Sequence, residues 1–395
     1  MRVPYGALLL SVCLCAPFVS SQPSSKTKDT KAAPITRGGK TLKEWKAELT
    51  NKDAGKRAAA VVAISGFGDA SHECIPALLE RMLHDKDVSP RVRAVIAMRV
   101  AAVDSKDVGN VVKALVARLS RDNESQAIVR LEAAVSLKRF IGEGALNNAI
   151  PGLTRGTLDI SSWEIRHHCV SLLWRIGREQ KTGTDAAIFE ALLGVLTNEP
   201  TYLVRLEAIQ GLGTIGQPND PILLNKVVSR LDAVSKGANK PLAIWAYTAL
   251  VAMQEGKASE LALSQISKFL TKTHPLESRI QAANALGALG TRAKSRVPML
   301  VAMLEDPETS AVWAACNALG NIGEAPAKVV DGLMKQVAHK DPSRAAAAVT
   351  ALVNLRVNTA TVTGTLDKMR ENKEMDIGLR RLIDTALVAI KKPKK

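Results

Sequence analysis

From Arg57 to Arg380 one segment recurs about every 36 residues, the spacing of a chain built from stacked supersecondary units. Each copy has a basic or small residue, an alanine-like residue three further on, an aliphatic residue seven on, and often an aliphatic-glycine pair to close. The register is explicit in three copies: Arg57 with Ala60, Ile64 and Phe67-Gly68; Arg205 with Ala208, Leu212 and Ile215-Gly216; Arg279 with Ala282, Leu286 and Leu289-Gly290. Arg93, Arg130, Arg166, Ala243, Val312, Ala345 and Arg380 take the same slot in more degenerate copies, which makes roughly ten units. A chain of this kind buries each unit's apolar face on its neighbours and forms an elongated body with a ribbon-like core.

Apolar side chains spaced by three, four and seven residues lie on one face of a helix, and the closing glycine suits the backbone that ends one. The segment is therefore the second helix of each unit. A first helix precedes it, clearest in Ile75, Leu78, Leu79 and Met82 and again in Val297, Leu300, Val301 and Leu304. The turns between them are acidic or contain proline, as in Asp85 to Pro90, Glu199-Pro200 and Asp306-Pro307. Apolar residues make up 46% of the chain and aromatics only 3%, a balance that suits closely spaced helices packed through Ala, Leu, Val and Ile.

The second helix Val204-Arg205-x-x-Ala208-x-x-x-Leu212-x-x-Ile215-Gly216 resembles that of HEAT-repeat proteins, and the likeness extends over about nine tenths of the chain. The prolines of Ile75-Pro76, Ile150-Pro151 and Val297-Pro298 match the family's early first-helix proline. The resemblance implies an all-α fold, a right-handed α-α superhelix of about ten helix pairs. It also implies a polar ladder between repeats, with Asp87 beside Arg93, Asp159 beside Arg166, and Arg130 and Arg205 in equivalent places. Ala243, Val312 and Ala345 lack the arginine, so stacking is expected to be less regular there.

The N-terminus follows a different pattern. Arg2 precedes an apolar stretch from Ala7 to Val19 and the small residues Ser20 and Ser21, the layout of a secretory signal peptide over residues 1–21. Leu10-Ser11-Val12-Cys13 resembles a lipobox, but valine before the cysteine fits it poorly, so a cleaved signal and an exported chain without a lipid anchor are expected. No later run reaches the roughly 18 apolar residues of a membrane span. Residues 22–40 read as a flexible basic leader. Thr41 with Glu44 reads as a capping box that starts a solenoid over residues 41–390, and residues 391–395 read as a basic tail. Cys13 and Cys15 leave with the signal, and Cys74, Cys169 and Cys316 fall in different repeats as small core thiols.

Motifs of chemistry are weak. Gly211-Leu212-Gly213-Thr214-Ile215-Gly216 has the spacing of a dinucleotide loop but closes a helix where such a loop must open one, so its glycines are read as packing and helix-end residues. His167, His168 and Cys169 are adjacent and point apart, which argues against a shared metal. Acidic residues fall once per unit in turns, as an architectural role requires, so the chain is read as a non-enzyme with no cofactor, metal or catalytic residue. Trp174, Trp245 and Trp313 are read as core residues, with Trp163 at the turn before its helix.

The formal charge of +16 draws such a body towards polyanions. Arg99, Lys138, Arg139 and Arg175 form the candidate basic surface on the inner side. The expected function is a scaffold that binds a protein partner along its curved surface. The alternatives are a binder of nucleic acid, wall polymer or anionic lipid and, through the family resemblance, a HEAT-like DNA glycosylase or bilin lyase. The unit with Trp163, His167 and His168 is the nearest candidate for a special site.

Overall fold

The computed structural model describes residues 35–102, 105–180, 184–372 and 374–391. The expected signal peptide, most of the leader and the last residues of the tail lie outside them. The described chain is an all-α solenoid of twenty helices that alternate as first and second members of ten pairs.

The pairs are α1 (Leu42–Glu48) with α2 (Ala54–Ser65), α3 (Ile75–His84) with α4 (Val88–Ala101), and α5 (Val108–Leu119) with α6 (Ala127–Leu137). Next come α7 (Ile150–Gly156) with α8 (Trp163–Glu179), α9 (Ala186–Asn198) with α10 (Tyr202–Ile215), and α11 (Pro221–Ser235) with α12 (Lys240–Met253). The last four are α13 (Gly256–Lys268) with α14 (Leu276–Leu289), α15 (Val297–Met303) with α16 (Thr309–Ile322), α17 (Ala327–Val337) with α18 (Pro342–Asn354), and α19 (Ala360–Arg370) with α20 (Ile377–Lys391). Pro76, Pro151 and Pro298 occupy the first turns of α3, α7 and α15, where the missing N–H has no helical partner to lose.

The flexible leader expected up to Lys40 ends earlier. Thr36–Arg37 and Lys40–Thr41 pair as a small antiparallel hairpin. Gly38 and Gly39 form its turn with φ of 54° and 77°, a left-handed pair that glycine adopts without steric cost. Trp45 fastens it by donating Nε1–H to the Arg37 carbonyl at 2.8 Å. Thr41 then caps α1 in a reciprocal box with Glu44.

Second helices lie closer to one another than first helices do. Small residues make the approach: a Cβ on Gly213 would stand 3.2 Å from the Ala249 Cα, and one on Gly320 would stand 3.3 Å from the Ala351 Cα. An array with one layer more tightly spaced curves towards it, so the second helices line the concave side. The splayed first helices leave outer clefts, of about 680 Å³ between α7 and α9 and about 530 Å³ between α9 and α11. The core runs along the array between the layers, from Leu49 and Ile64 to Leu387 and Ile390.

Candidate interaction face

One pattern of polar bonds crosses the repeat boundaries. An arginine four residues after the cap of a second helix donates to a carbonyl in its own turn and to the acidic residue that opens the next turn. Arg57 bonds the Asn51 carbonyl and Asp85, Arg91 bonds the Asp85 carbonyl and Glu124, and Arg130 bonds the Glu124 carbonyl and Asp159. Arg166 continues the series with the Asp159 carbonyl and Glu199, and Arg279 resumes it with the His274 carbonyl and Asp306. Each acidic residue also accepts the N–H two residues on, as Ser161 N–H to Asp159 at 2.8 Å and Thr201 N–H to Glu199 at 2.8 Å. Burial would raise these carboxyls, but the bonds to arginine, backbone and neighbouring hydroxyls hold Asp85, Glu124, Asp159 and Glu199 below the usual carboxylate range.

Three expectations need correction. Arg93 is not in the ladder: it is exposed, and Arg91 stands in its place. The register set from Arg91 puts Ala94 and Met98 at the buried positions three and seven residues on. Asp87 is bonded by Arg57 of the preceding repeat at 2.7 Å, not by Arg93. Arg205 has no ion pair among the described residues and its Nε is buried without a partner, because the following turn, Ser235 to Asn239, offers no carboxylate. At Val312 and Ala345 the bonding reverses: Arg344 reaches back to the Pro307 carbonyl at 2.6 Å and to Thr309.

The inner surface of α6, α8 and α10 gathers the side chains that depart from the repeat. Trp163, His167 and His168 meet in T-shaped pairs along the start of α8, their ring planes inclined at 78° and 73°. His167 Nε2 lies 3.6 Å from a Glu207 oxygen, and Trp174 donates Nε1–H to the other oxygen of Glu207 at 2.8 Å. Arg175 and Arg178 lie over the Trp174 ring, 4.6 and 5.6 Å from its centroid. Burial, aided by the Lys138 and His167 charges, pushes the His168 imidazole down to about 4, so it is neutral at physiological pH. Its Nδ1 is buried without a partner.

The four candidate surface cations differ in state. Arg99 is paired with Glu132 and bonds Ser136. Arg139 is exposed, Arg175 bonds Ser171, and Lys138 forms no ion pair among the described residues. They therefore do not form a continuous basic groove. Among the tryptophans, Trp313 is 47% exposed and is not a core residue, while Trp174 and Trp245 are half-buried with their indole N–H groups bonded to Glu207 and Gln281.

Cys74, Cys169 and Cys316 are buried free thiols, and burial pushes the latter two up to about 12. No group of three or more His, Cys, Asp or Glu among the described residues is arranged to hold a metal ion. No described helix is long and apolar enough to cross a membrane.

Comparison with known proteins agrees with this architecture. Residues 263–353, from within α13 to the end of α18, match the family described as HEAT repeats. Solved structures of importin-β share the fold. One covers 88% of this chain at 14% identity with a TM-score of 0.58, and yeast importin-β (Kap95p) covers 88% at 15% identity with a TM-score of 0.55. The chain spans about half the length of these proteins, 52% and 57%. No curated protein sequence matches it.

Proposed function

We propose that this chain is an exported, non-catalytic scaffold that grips a protein partner along its concave face. The observation that carries the reading is the recurrence of exposed apolar side chains on the second-helix layer: Val62, Val100, Ile128, Trp163, Leu203 and Trp313. Ile222 and Leu261 are exposed on first helices as well, but the recurrence from pair to pair is on the second-helix layer, and apolar groups left in water along a curved array are suited to covering by another protein. The ladder supports the same reading, since it commits most turn carboxylates to architecture. Export rests on the signal-like run from Ala7 to Val19.

Affinity capture from exported and envelope fractions of the source cells, at low and moderate salt, tests both parts. A protein retained at moderate salt supports the scaffold, and a chain found only in the cytosol with residue 1 intact overturns export. The charge of +16 favours a second reading, a polyanion binder. In that case the captured material is polyanionic and is lost as salt rises.

A further inference from the structure

At the N-terminal end of the inner layer the small hairpin helps to enclose a cavity of about 690 Å³, lined also by α1, α2 and α4. Ala58, Val62 and Ala63 of α2 give it an apolar floor, and Trp45 of α1 stands beside them. Arg37 enters from the hairpin and Arg93 from α4. Both arginines are exposed, and neither side chain has an ion pair or hydrogen bond among the described residues.

Arg37 is held in place by packing. Its carbonyl accepts the Trp45 Nε1–H at 2.8 Å, and its Cζ stands 5.8 Å from the centroid of the Phe67 ring. A Cβ on Gly66 would lie 2.9 Å from Arg37 Nε and 3.1 Å from its Cζ, so the guanidinium rests against a helix end that has no side chain there. No aspartate or glutamate lines the cavity. The carboxylates on the adjoining turns are engaged: Asp53 accepts the Lys56 N–H at 2.8 Å, and Asp87 accepts from Arg57 at 2.7 Å. Two uncompensated cations around one apolar concavity focus a positive potential over surface that water covers poorly.

We propose that this cavity seats an acidic segment of a partner protein, with an apolar side chain on the Ala58, Val62 and Ala63 floor beside Trp45, and flanking aspartate or glutamate side chains on Arg37 and Arg93. This rests on the scaffold reading and names the chemistry of its partner. Charge selects the occupant. Residues 22–34 of this chain carry Lys26, Lys28 and Lys31 against Asp29, its last residues are basic, and a second copy brings a formal charge of +16. A nucleic-acid strand needs a track of cations and open aromatic faces for its bases. Here Arg99, further along α4, is neutralised by Glu132, and Lys40 Nζ already lies over the Trp45 ring, 4.9 Å from its centroid.

The test is fluorescence anisotropy of the full chain with a labelled peptide of alternating glutamate and leucine. Its glutamine–leucine and glutamate–serine counterparts and an oligothymidylate of equal charge are the comparisons. The glutamate–leucine peptide is expected to bind, and each counterpart at least about tenfold more weakly. R37Q and R93Q should each weaken binding about tenfold or more, the value of one charge-assisted hydrogen bond. The Arg93 side chain has no partner to lose, so R93Q should keep the stability of the natural chain. G66A should weaken binding as R37Q does, by displacing the guanidinium, and V62E should abolish it by placing a carboxylate on the floor. K226Q, whose lysine pairs with Glu190 on the outer layer, should bind as the natural chain does.

Equal affinities for R93Q, V62E and the natural chain would overturn the seat. A glutamate–serine peptide bound as tightly as glutamate–leucine would remove the role of the floor, and tighter oligothymidylate binding lost in R93Q would replace the protein partner by a nucleic acid; either overturns the proposal. The two readings fail separately. A protein partner captured equally by R93Q, V62E and the natural chain overturns the seat and leaves the scaffold. No protein captured at moderate salt, with peptide binding intact and lost in V62E, overturns the scaffold and leaves the seat.

Discussion

Arg130 crosses a repeat boundary to place its Nε 2.8 Å from Asp159 Oδ2, with the two side chains only 1% and 2% exposed. A second bond runs from the same guanidinium to Ser161 Oγ at 2.5 Å, and a third to the Glu124 carbonyl at 2.7 Å. One side chain therefore ties two consecutive turns. In a solenoid, stability is approximately the sum of unit and nearest-neighbour terms, so such a tie acts on the coupling between units.

Removing one partner strands the other charge in the interior. R130A should destabilise the chain by about 3–5 kcal/mol, the cost of breaking a buried pair from one side. Replacing both partners by apolar residues, as in R130M with D159L, should restore part of that loss. Urea denaturation measures both, and a shallower transition in R130A would show the array separating into two cooperative blocks.

The absence of a partner for Arg205 gives the opposite expectation for a residue in the same repeat slot. R205A should cost no more than about 1 kcal/mol, because no ion pair among the described residues is lost with it. R166A, which breaks the paired bonds to Glu199 at 2.6 and 2.9 Å, should cost about 3 kcal/mol or more. The same denaturation series compares them. Equal losses would show that the arginine slot matters for its aliphatic stem and not for its ion pair.

What was legible in the sequence follows from what one helix can specify by itself. Helix pairing, the second-helix stripe at Arg205 and Arg279, the proline positions and the Thr41 cap depend on local spacing. The register read from Arg93 lies two residues out, because Arg93 stands 36 residues after Arg57 and masks Arg91. Counting four residues from the cap Asp87 would have found Arg91. The bond from Trp174 to Glu207 depends on which positions meet across two repeats, and no single-helix periodicity carries that information. The Gly38-Gly39 hairpin was hidden for a different reason: its strands are two residues each and show no alternation.

Close approach of α8 and α10 depends on a missing side chain. A Cβ at Gly211 would lie 2.7 Å from the Cβ and Cγ of Trp174, nearer than real contacts allow. The Trp174 root cannot rotate away without moving α8. G211A is expected to cost about 1–3 kcal/mol through overpacking, even though alanine is the better helix former. It should also displace the indole N–H from Glu207, which a change in tryptophan emission at unaltered helical content would report.

Acid sensitivity should carry the mark of His168. Its folded pKa is depressed from 6.5 to about 4, mainly by burial, with Lys138 and His167 adding repulsion and Glu207 and Glu164 opposing them. Between these values the unfolded chain binds a proton that the folded chain refuses, so stability falls with falling pH over that window and levels off below it. The ladder carboxylates also lose stability in acid, but only as pH falls through their lower range, because their folded pKa values are depressed. The region from pH 6.5 to about 5 therefore isolates the histidines. H168Q, which keeps a polar group and removes the titration, should flatten the slope of unfolding free energy against pH there. His167, also depressed by burial, leaves a smaller remainder because Glu207 stabilises its charged form. An unchanged slope in H168Q would mean that His168 is hydrated and titrates normally.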